Sequence, residues 1–321
     1  MSLNKNKYLE CVLYSHKMNH VNDLVQLYMH KRNEMMVEFE TFFKGQIFPY
    51  LNSGSYAKHT AINKKFDFDI SVPFKKGSFS KLEDMHKAVY DYFDKEYRNK
   101  DKDLLTVKNQ KVSIGLEFHK KIKDTMHVLS YDIVPGRELD DYPKDFYLNL
   151  YLYENWGNIK KANYIQTNVR KHVELIEGKT HERKAIRLMK VWKNASHTQM
   201  KSFFIELMVI KAFEKNEKKV PEELWDQLKM VLEFFAKNIT TIKLQDPANS
   251  GNIVSDTLVD AQKQAIQTNI ESILKNIDDY EDSIKSYFPE NLDFPCKDLK
   301  ELKYEIKDSL APSILPTSDF A

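Results

Sequence analysis

The run from Phe66 to Val72 alternates apolar and polar side chains with a period of two. Successive side chains of a β-strand point to opposite faces, so this pattern predicts a strand with one buried face. The apolar residues would pack into a core, whereas Asp67, Asp69 and Ser71 would share the other face. Two carboxylates on one face repel each other unless a cation lies between them, so this strand is a candidate cation site.

Two more segments up to about residue 135 also predict strands. Val112 to Phe118 alternates as the first run does, and the apolar segment Met126 to Val134 ends before Pro135-Gly136. An amphipathic helix, about Lys81 to Tyr97, separates the first two strands. From about Glu138 the patterns become helical, so the sequence predicts an α+β protein whose sheet is followed by a helical part.

The predicted helices are long because glycine and proline are scarce, at 8 and 10 residues. They cover His20–Phe48, Glu182–Lys193, Ser202–Phe213, Pro221–Phe235 and Asp256–Ile277, with a loop at Leu244–Ser255. We predict a first domain at residues 1–160, including the long N-terminal helix, and a helical lobe at residues 161–290. The proline-containing end, residues 291–321, is predicted to be a loosely attached tail.

The bulk composition excludes several classes of protein. Acids and bases nearly cancel at a net charge of +2, so the chain is not a uniformly basic nucleic-acid binder. No apolar run is long enough to span a bilayer, and we expect no secretion because no apolar segment typical of a signal peptide follows the first residues. Cys11 and Cys296 lack metal-ligand spacing, so we expect neither a structural zinc nor a disulfide, and we expect a cytoplasmic protein.

The cation predicted at Asp67 and Asp69 is Mg²⁺, which prefers hard oxygen ligands and takes others from phosphates. Just upstream lies the turn Gly54-Ser55, where a glycine allows close approach of a phosphate and a serine can bind its oxygens. Together these residues predict a triphosphate site. The similar Asp101-Lys-Asp103 is interpreted as solvated surface.

A third carboxylate is expected from a neighbouring strand. Asp132 is the best candidate because it lies near the end of an apolar strand, just before Pro135-Gly136. A capping role at the strand end is the alternative interpretation. Glu117 is the rival ligand, although we favour an exposed position on the sheet for it.

Three segments carry a resemblance to a known family. Gly54 to Ile62, Phe66-Asp-Phe-Asp-Ile70 and Tyr131-Asp-Ile133 are similar to motifs of the DNA polymerase β-like nucleotidyltransferase superfamily. The first of them resembles most the bacterial cyclic-oligonucleotide synthases, the CD-NTases, relatives of cyclic GMP-AMP synthase and oligoadenylate synthase. The segments Ile186–Lys193 and Lys201–Glu206 resemble paired helices of that family, so the resemblance covers about residues 51–213.

The resemblance implies a nucleotidyltransferase palm, a mixed sheet with flanking helices, packed on a helical lobe. It implies that Asp67 and Asp69 hold two Mg²⁺ ions, with Mn²⁺ as a substitute, and that Asp132 holds the ion that activates the attacking hydroxyl. Gly54 and Ser55 would bind the donor triphosphate.

The resemblance also implies that Lys190, Lys201 and Ser202 reach the triphosphate from the helical lobe. The alternatives are a solvated position for Lys190, and the start and cap of a buried helix for the other two. Glu206 is interpreted as the partner of a buried base such as Arg187 rather than a metal ligand. The chain has Thr167-Asn168-Val169 where the family often has a proline after Thr-Asn.

The implied function is templateless synthesis of a cyclic di- or trinucleotide messenger from nucleoside triphosphates, in bacterial anti-phage defence (CBASS). Transfer of a nucleotide to a tRNA or protein acceptor, synthesis of a linear oligonucleotide, and a degenerate nucleotide sensor are the alternatives. The partners implied are nucleoside triphosphates, with neither a membrane nor a nucleic-acid template. Regulatory proteins of a defence operon, and conjugating proteins acting on the small C-terminal residue Ala321, are further expectations.

Overall fold

The computed structural model describes residues 3–64, 66–122, 124–153 and 164–296. A mixed sheet with flanking helices forms one half of the protein, and a bundle of helices forms the other. The helices are α1 (Lys5–Ser15), α2 (Asn22–Phe42), α3 (Gly54–Ala57), α4 (Leu82–Asp91), α5 (Arg98–Lys100), α6 (Val169–Glu174), α7 (Thr180–Ala195), α8 (Ser202–Lys215), α9 (Leu224–Asn238), α10 (Asp260–Asp279) and α11 (Ile284–Tyr287). The strands are β1 (Leu51–Ser53), β2 (Phe68–Phe74), β3 (Leu104–Asn109), β4 (Ile114–Ile122), β5 (Thr125–Glu138), β6 (Leu148–Tyr151), β7 (Tyr164–Thr167), β8 (Gln245–Asp246) and β9 (Asn249–Ile253).

The main sheet has seven strands in the order β1-β2-β5-β4-β3, and β6 and β7 extend it from the end of β5. Strands β2 and β5 are parallel, and the remaining pairs are antiparallel. The sequence predicted β2, β4 and β5. It did not predict β3, and the expectation that the chain turns helical from about Glu138 is wrong for the next segment, because β6 and β7 continue the sheet.

Strand β5 runs through Pro135 rather than ending before it. Its pairing with β4 ends at Ile133, and its pairing with β6 begins at Gly136, so the proline lies between the two. Proline cannot donate a ladder hydrogen bond, and here it lies where strand β5 changes partner on that side. This position explains why a proline is compatible with a central strand.

The sheet packs one face against α2 and α4, as the apolar alternation of β2 predicted. Phe68, Ile70 and Val72 of β2 lie in one buried cluster with Met35 and Phe39 of α2. The predicted helix Lys81–Tyr97 forms as α4 followed by a π-helical turn over Tyr92–Tyr97. Asp101 accepts hydrogen bonds from Lys31 and Tyr97, so it ties α2 to this side of the sheet.

The helical lobe has its own apolar core, built from α7 to α10. Helix α8 is buried nearly all round, as its sequence predicted, and Trp192 of α7 lies in this core. Helix α1 also packs here, through Leu9, Val12 and Leu13, so the N-terminal segment belongs to the helical core although it precedes the sheet in sequence. None of the described helices is long and apolar enough to cross a membrane.

Two expectations about the chain ends are wrong. Cys11 of α1 and Cys296 form a disulfide, although they are 285 residues apart in sequence. Asn291 is buried, its backbone N–H donates to Ser15 Oγ, and its side chain donates to Asn63, so residues 291–296 are attached to the N-terminal region. Residues 297–321, which include the rest of the predicted tail and Ala321, lie outside the described residues.

Candidate active site

Strand pairing brings two of the predicted acids side by side. Asp69 of β2 and Asp132 of β5 are register partners in the parallel pair at the centre of the sheet. Partners in adjacent strands point their side chains to the same face, with strands about 4.8 Å apart. The sequence predicted the face of Asp69 from alternation, and only the sheet register supplies its neighbour.

Electrostatics couples both acids to Asp67, which is exposed just before β2. Burial, together with the charges of Asp67 and Asp132, raises the pKa of Asp69 to about 7. Burial and the charge of Asp67 raise the pKa of Asp132 to about 6. Asp69 and Asp132, whose ionisation burial and neighbouring carboxylates disfavour, form with Asp67 a negative site that a cation would stabilise.

The turn at Gly54 lies directly against Asp69. Ser53 of β1 is the register partner of Asp69, so the antiparallel β1–β2 pair brings the turn to the acid. Gly54 has a φ of +68°, and a Cβ built on it would lie 1.6 Å from Asp69 Oδ2. Only glycine fits here, because both the backbone conformation and the carboxylate exclude a side chain. The predicted phosphate turn and the predicted cation site are therefore one site.

Replacing Gly54 with alanine tests this close approach. The alanine would be strained by its positive φ and would displace the Asp69 carboxylate, so we expect product formation to fall about 100-fold, as misplacement of a reacting group by about 1 Å can cause. Gly178→Ala is the matched control, because Gly178 has a φ of +71° with nothing within 4 Å of a built Cβ.

The control variant should lose about 1–2 kcal/mol of unfolding free energy from backbone strain while retaining its activity. Activity assays and chemical denaturation of both variants measure the two effects. Equal loss of activity in the two variants would contradict a role for the Gly54–Asp69 approach.

Within the described part of the chain, no group of three or more His, Cys, Asp or Glu side chains is arranged as a ready-made metal cage. The donor chemistry nevertheless fits Mg²⁺, which usually binds one or two carboxylates and completes its octahedron with waters and substrate phosphates. Asp69 and Asp132, with Asp67 beside them, are the residues that would hold it.

A buried ionic network lies between the sheet and the helical lobe. Glu206 of α8 pairs with both Lys58, which follows α3, and Lys190 of α7. Lys190 Nζ also donates to the backbone carbonyl and hydroxyl of Thr60, at 3.1 and 2.9 Å. The network joins the segment after the Gly54 turn to helices α7 and α8. It carries one more positive than negative charge, and the charge of Lys58 lowers the pKa of Asp69.

The three residues of the helical lobe that were predicted to bind phosphate lie in three different environments. Lys190 is buried in the ionic network rather than solvated, and its ammonium has three acceptors there. Lys201 is exposed immediately before α8. The Ser202 hydroxyl, in the first turn of α8, accepts a hydrogen bond from Lys193 at 3.3 Å. A triphosphate contact by any of them stays a prediction.

Two glutamates for which the sequence suggested structural positions are Glu206 and Glu117. Glu206 does partner a buried base, but its bases are Lys58 and Lys190 rather than Arg187. Glu117 is exposed on β4 opposite Ser130, which agrees with its interpretation as a surface residue of the sheet.

The segment after β7 is ordered by polar contacts with the β8–β9 hairpin. Asn168 caps α6 by accepting from the Lys171 N–H, so Val169 begins the helix where a proline would also be compatible. His172 contacts Asp246 at 2.7 Å, and Asp246 also accepts from the Ala248 N–H. The predicted loop at Leu244–Ser255 is therefore a short hairpin fixed to α6.

Solved structures share this architecture. CdnC of E. coli MS115-1 with ATP is 18% identical, with a TM-score of 0.66 over 91% of this chain and 99% of its own. The Elizabethkingia meningoseptica CdnE cyclic dinucleotide synthase with GTP and Apcpp is 13% identical, with a TM-score of 0.54 over 78% and 91%. Vibrio cholerae DncV, a cyclic AMP-GMP synthase, is 14% identical, with a TM-score of 0.54 over 75% and 68%. At such identities the similarity shows the fold.

This chain has the fold of the bacterial cyclic-dinucleotide synthases. The predicted α+β class and the resemblance to the CD-NTases are thus confirmed at the level of the fold. No family model and no curated protein matches the sequence itself. The site at Gly54, Asp69 and Asp132 therefore rests on the strand pairing and close contacts in this structure, because no sequence match identifies it.

Proposed function

We propose that this protein is a metal-dependent nucleotidyltransferase that joins nucleoside triphosphates into a cyclic di- or trinucleotide. The observation that carries the proposal is the pairing of Asp69 with Asp132 across β2 and β5, against the bare backbone of Gly54. The fold shared with a cyclic dinucleotide synthase and a cyclic AMP-GMP synthase supports the choice of product class. A role in bacterial anti-phage defence is part of this proposal.

The proposed cofactor is Mg²⁺, two ions, with Mn²⁺ able to replace it. Asp67 and Asp69 would hold both ions, and Asp132 would hold one of them. When bound, such a pair stabilises the attacking and leaving oxygens of an in-line displacement. Nucleotidyl transfer then depends mainly on positioning and on positive charge near the phosphates.

The chain's own groups would position the substrates. The Gly54 and Ser55 backbone lies at the acids and would bind the donor triphosphate, with pyrophosphate as the leaving group. Lys201, exposed before α8, can supply charge to it, since an ammonium attracts phosphate without a fixed planar geometry. Lys58 already lowers the pKa of Asp69. Together with Lys190, it would add positive potential near the phosphates, because the two lysines outnumber their one partner, Glu206.

Incubating the purified protein with labelled nucleoside triphosphates and Mg²⁺, without any acceptor, tests this function. We expect a phosphatase-resistant product, whose mass and nuclease sensitivity would identify the bases, the linkage and the ring size. A matched control is Asp103→Asn, which removes a half-buried carboxylate that pairs with Lys120 rather than with the site. Phosphatase-sensitive chains would favour a linear oligonucleotide, and product only with added tRNA or protein would favour acceptor transfer; either would refute cyclisation.

The pKa shifts of the acids predict how pH changes the stability of the metal-free protein. The carboxyls of Asp69 and Asp132 have an ordinary pKa of 3.8, which rises to about 7 and about 6 in the fold. The folded state therefore retains protons that the unfolded state has lost. Stability should fall as the pH rises from about 4 to about 7, because unfolding then releases protons.

Mg²⁺ should reverse this trend, because it binds the ionised carboxylates in place of protons. Melting temperatures measured across this pH range should show stabilisation by Mg²⁺ that grows with pH and levels off above about 7. Asp69→Asn should remove most of this pH-dependent stabilisation by Mg²⁺. Stabilisation by Mg²⁺ that is the same at low and high pH would contradict binding at these acids.

A further inference from the structure

The turn between β3 and β4 reaches the candidate site through Gln110. Its side-chain amide donates to Asp132 Oδ1 at 2.8 Å. The amide is itself held, because Ser113 Oγ donates to Gln110 Oε1 at 3.0 Å. Gln110 is exposed, so its contact with Asp132 is not a by-product of core packing.

Strand β4 has a glycine, Gly115, next to this contact. Gly115 of β4 is the register partner of Asp132 on the side opposite Asp69. A Cβ built on Gly115 would lie 2.5 Å from Gln110 Nε2 and 3.5 Å from Asp132 Oδ1. A glycine weakens a strand and often marks a place where another group approaches the backbone closely. Here the group that approaches the backbone is the Gln110 side-chain amide, which donates to Asp132.

The chemistry of an amide suits this place. A primary amide donates to a carboxylate at every pH of interest and adds no charge that would compete with a cation. It occupies one oxygen of Asp132 and leaves Oδ2 for a ligand. Groups that hydrogen-bond a metal ligand fix its orientation, and their loss commonly weakens metal binding 10–100-fold.

We propose that Gln110 is a positioning residue that orients the Asp132 carboxylate for the cation and the attacking hydroxyl. This inference rests on the proposed function of the site, and it assigns to the β3–β4 turn a role in that site. A purely structural role in the turn is the competing explanation. The backbone hydrogen bond from the Gln110 N–H to the Ser113 carbonyl, at 2.8 Å, closes the turn independently of the side chain.

The test is Mn²⁺ binding by Gln110→Met, which keeps the length of the side chain and removes the donor. We would measure free Mn²⁺ by electron paramagnetic resonance in the presence of a non-hydrolysable ATP analogue. We expect the Mn²⁺ dissociation constant to rise about 10-fold, with the metal-free melting temperature unchanged. Ser113→Ala should give a smaller rise, and Lys111→Met, an exposed change in the same turn, should give none.

The outcomes separate this inference from the proposed function. Weaker Mn²⁺ binding by Gln110→Met supports positioning even if the wild-type protein makes no cyclic product. A wild-type protein that makes the product, with a Gln110→Met variant that binds Mn²⁺ and turns over equally well, overturns the positioning role alone. Absence of Mn²⁺ binding by the wild-type protein overturns both.

Discussion

Replacing Asp69 with asparagine should lower the rate of product formation about 100- to 1,000-fold, since metal ions contribute several kcal/mol to such transition states. Asparagine keeps the size of the side chain and a neutral oxygen, so the turn at Gly54 can remain packed. The variant loses the charge that couples Asp69 to Asp67 and Asp132. The rate of labelled product formation at saturating triphosphate measures the effect.

The same substitution should stabilise the metal-free protein above about pH 7, where Asp69 would otherwise be ionised beside two like charges. Loss of activity together with a higher melting temperature distinguishes a site residue from a structural one. Asp103→Asn, which only weakens a partly exposed pair with Lys120, should change neither quantity appreciably. An Asp69→Asn variant that makes product at the wild-type rate would refute the assignment of this acid.

The second large effect is expected at Glu206. Burial alone would raise the pKa of Glu206, but Lys58 and Lys190 outweigh it and lower the pKa to about 2. Replacing it with leucine leaves two lysines buried without their anion, which should cost about 3–5 kcal/mol of unfolding free energy. Since the folded pKa is depressed, this contribution is present above about pH 4.5 and is lost as the pH falls towards 2.

Chemical denaturation of Glu206→Leu measures this cost, and helix α8 supplies a control. Glu214→Gln breaks the exposed Lys211–Glu214 pair on the same helix and should change stability by less than about 0.5 kcal/mol. Adding Lys190→Met to Glu206→Leu should recover part of the loss, since one stranded charge is then removed. Wild-type stability of Glu206→Leu would show that the network does not join the lobes.

Alternation in the sequence was sufficient to predict the strand of Asp69, because one buried face imposes a period of two, although Asp67 lies just before the strand rather than in it. It could not predict β6 and β7, whose four residues each are too short to show a period. The pairing of Asp69 with Asp132 depends on strand order and register, which are properties of the assembled sheet. The sequence supplied both acids, and the fold supplied their adjacency.

Other parts of the site left a weaker signal. Lys190 lies four residues after Ile186, on the apolar face of α7, and Glu206 lies in a helix that is otherwise buried. Opposite charges on two buried helix faces indicate a paired network, and this signal could have been used. Nothing in the sequence indicated the role of Gln110, since its contact with Asp132 arises from the β3–β4 turn and the bare backbone of Gly115.

The most direct test of the central claim is a crystal structure of the protein with Mn²⁺ and a non-hydrolysable ATP analogue. Anomalous scattering would locate the metal independently of the chain. We predict two Mn²⁺ peaks against Asp67, Asp69 and Asp132, with the triphosphate on the Gly54-Ser55 backbone. Metal and triphosphate bound elsewhere, with these three carboxylates free of both, would contradict the account.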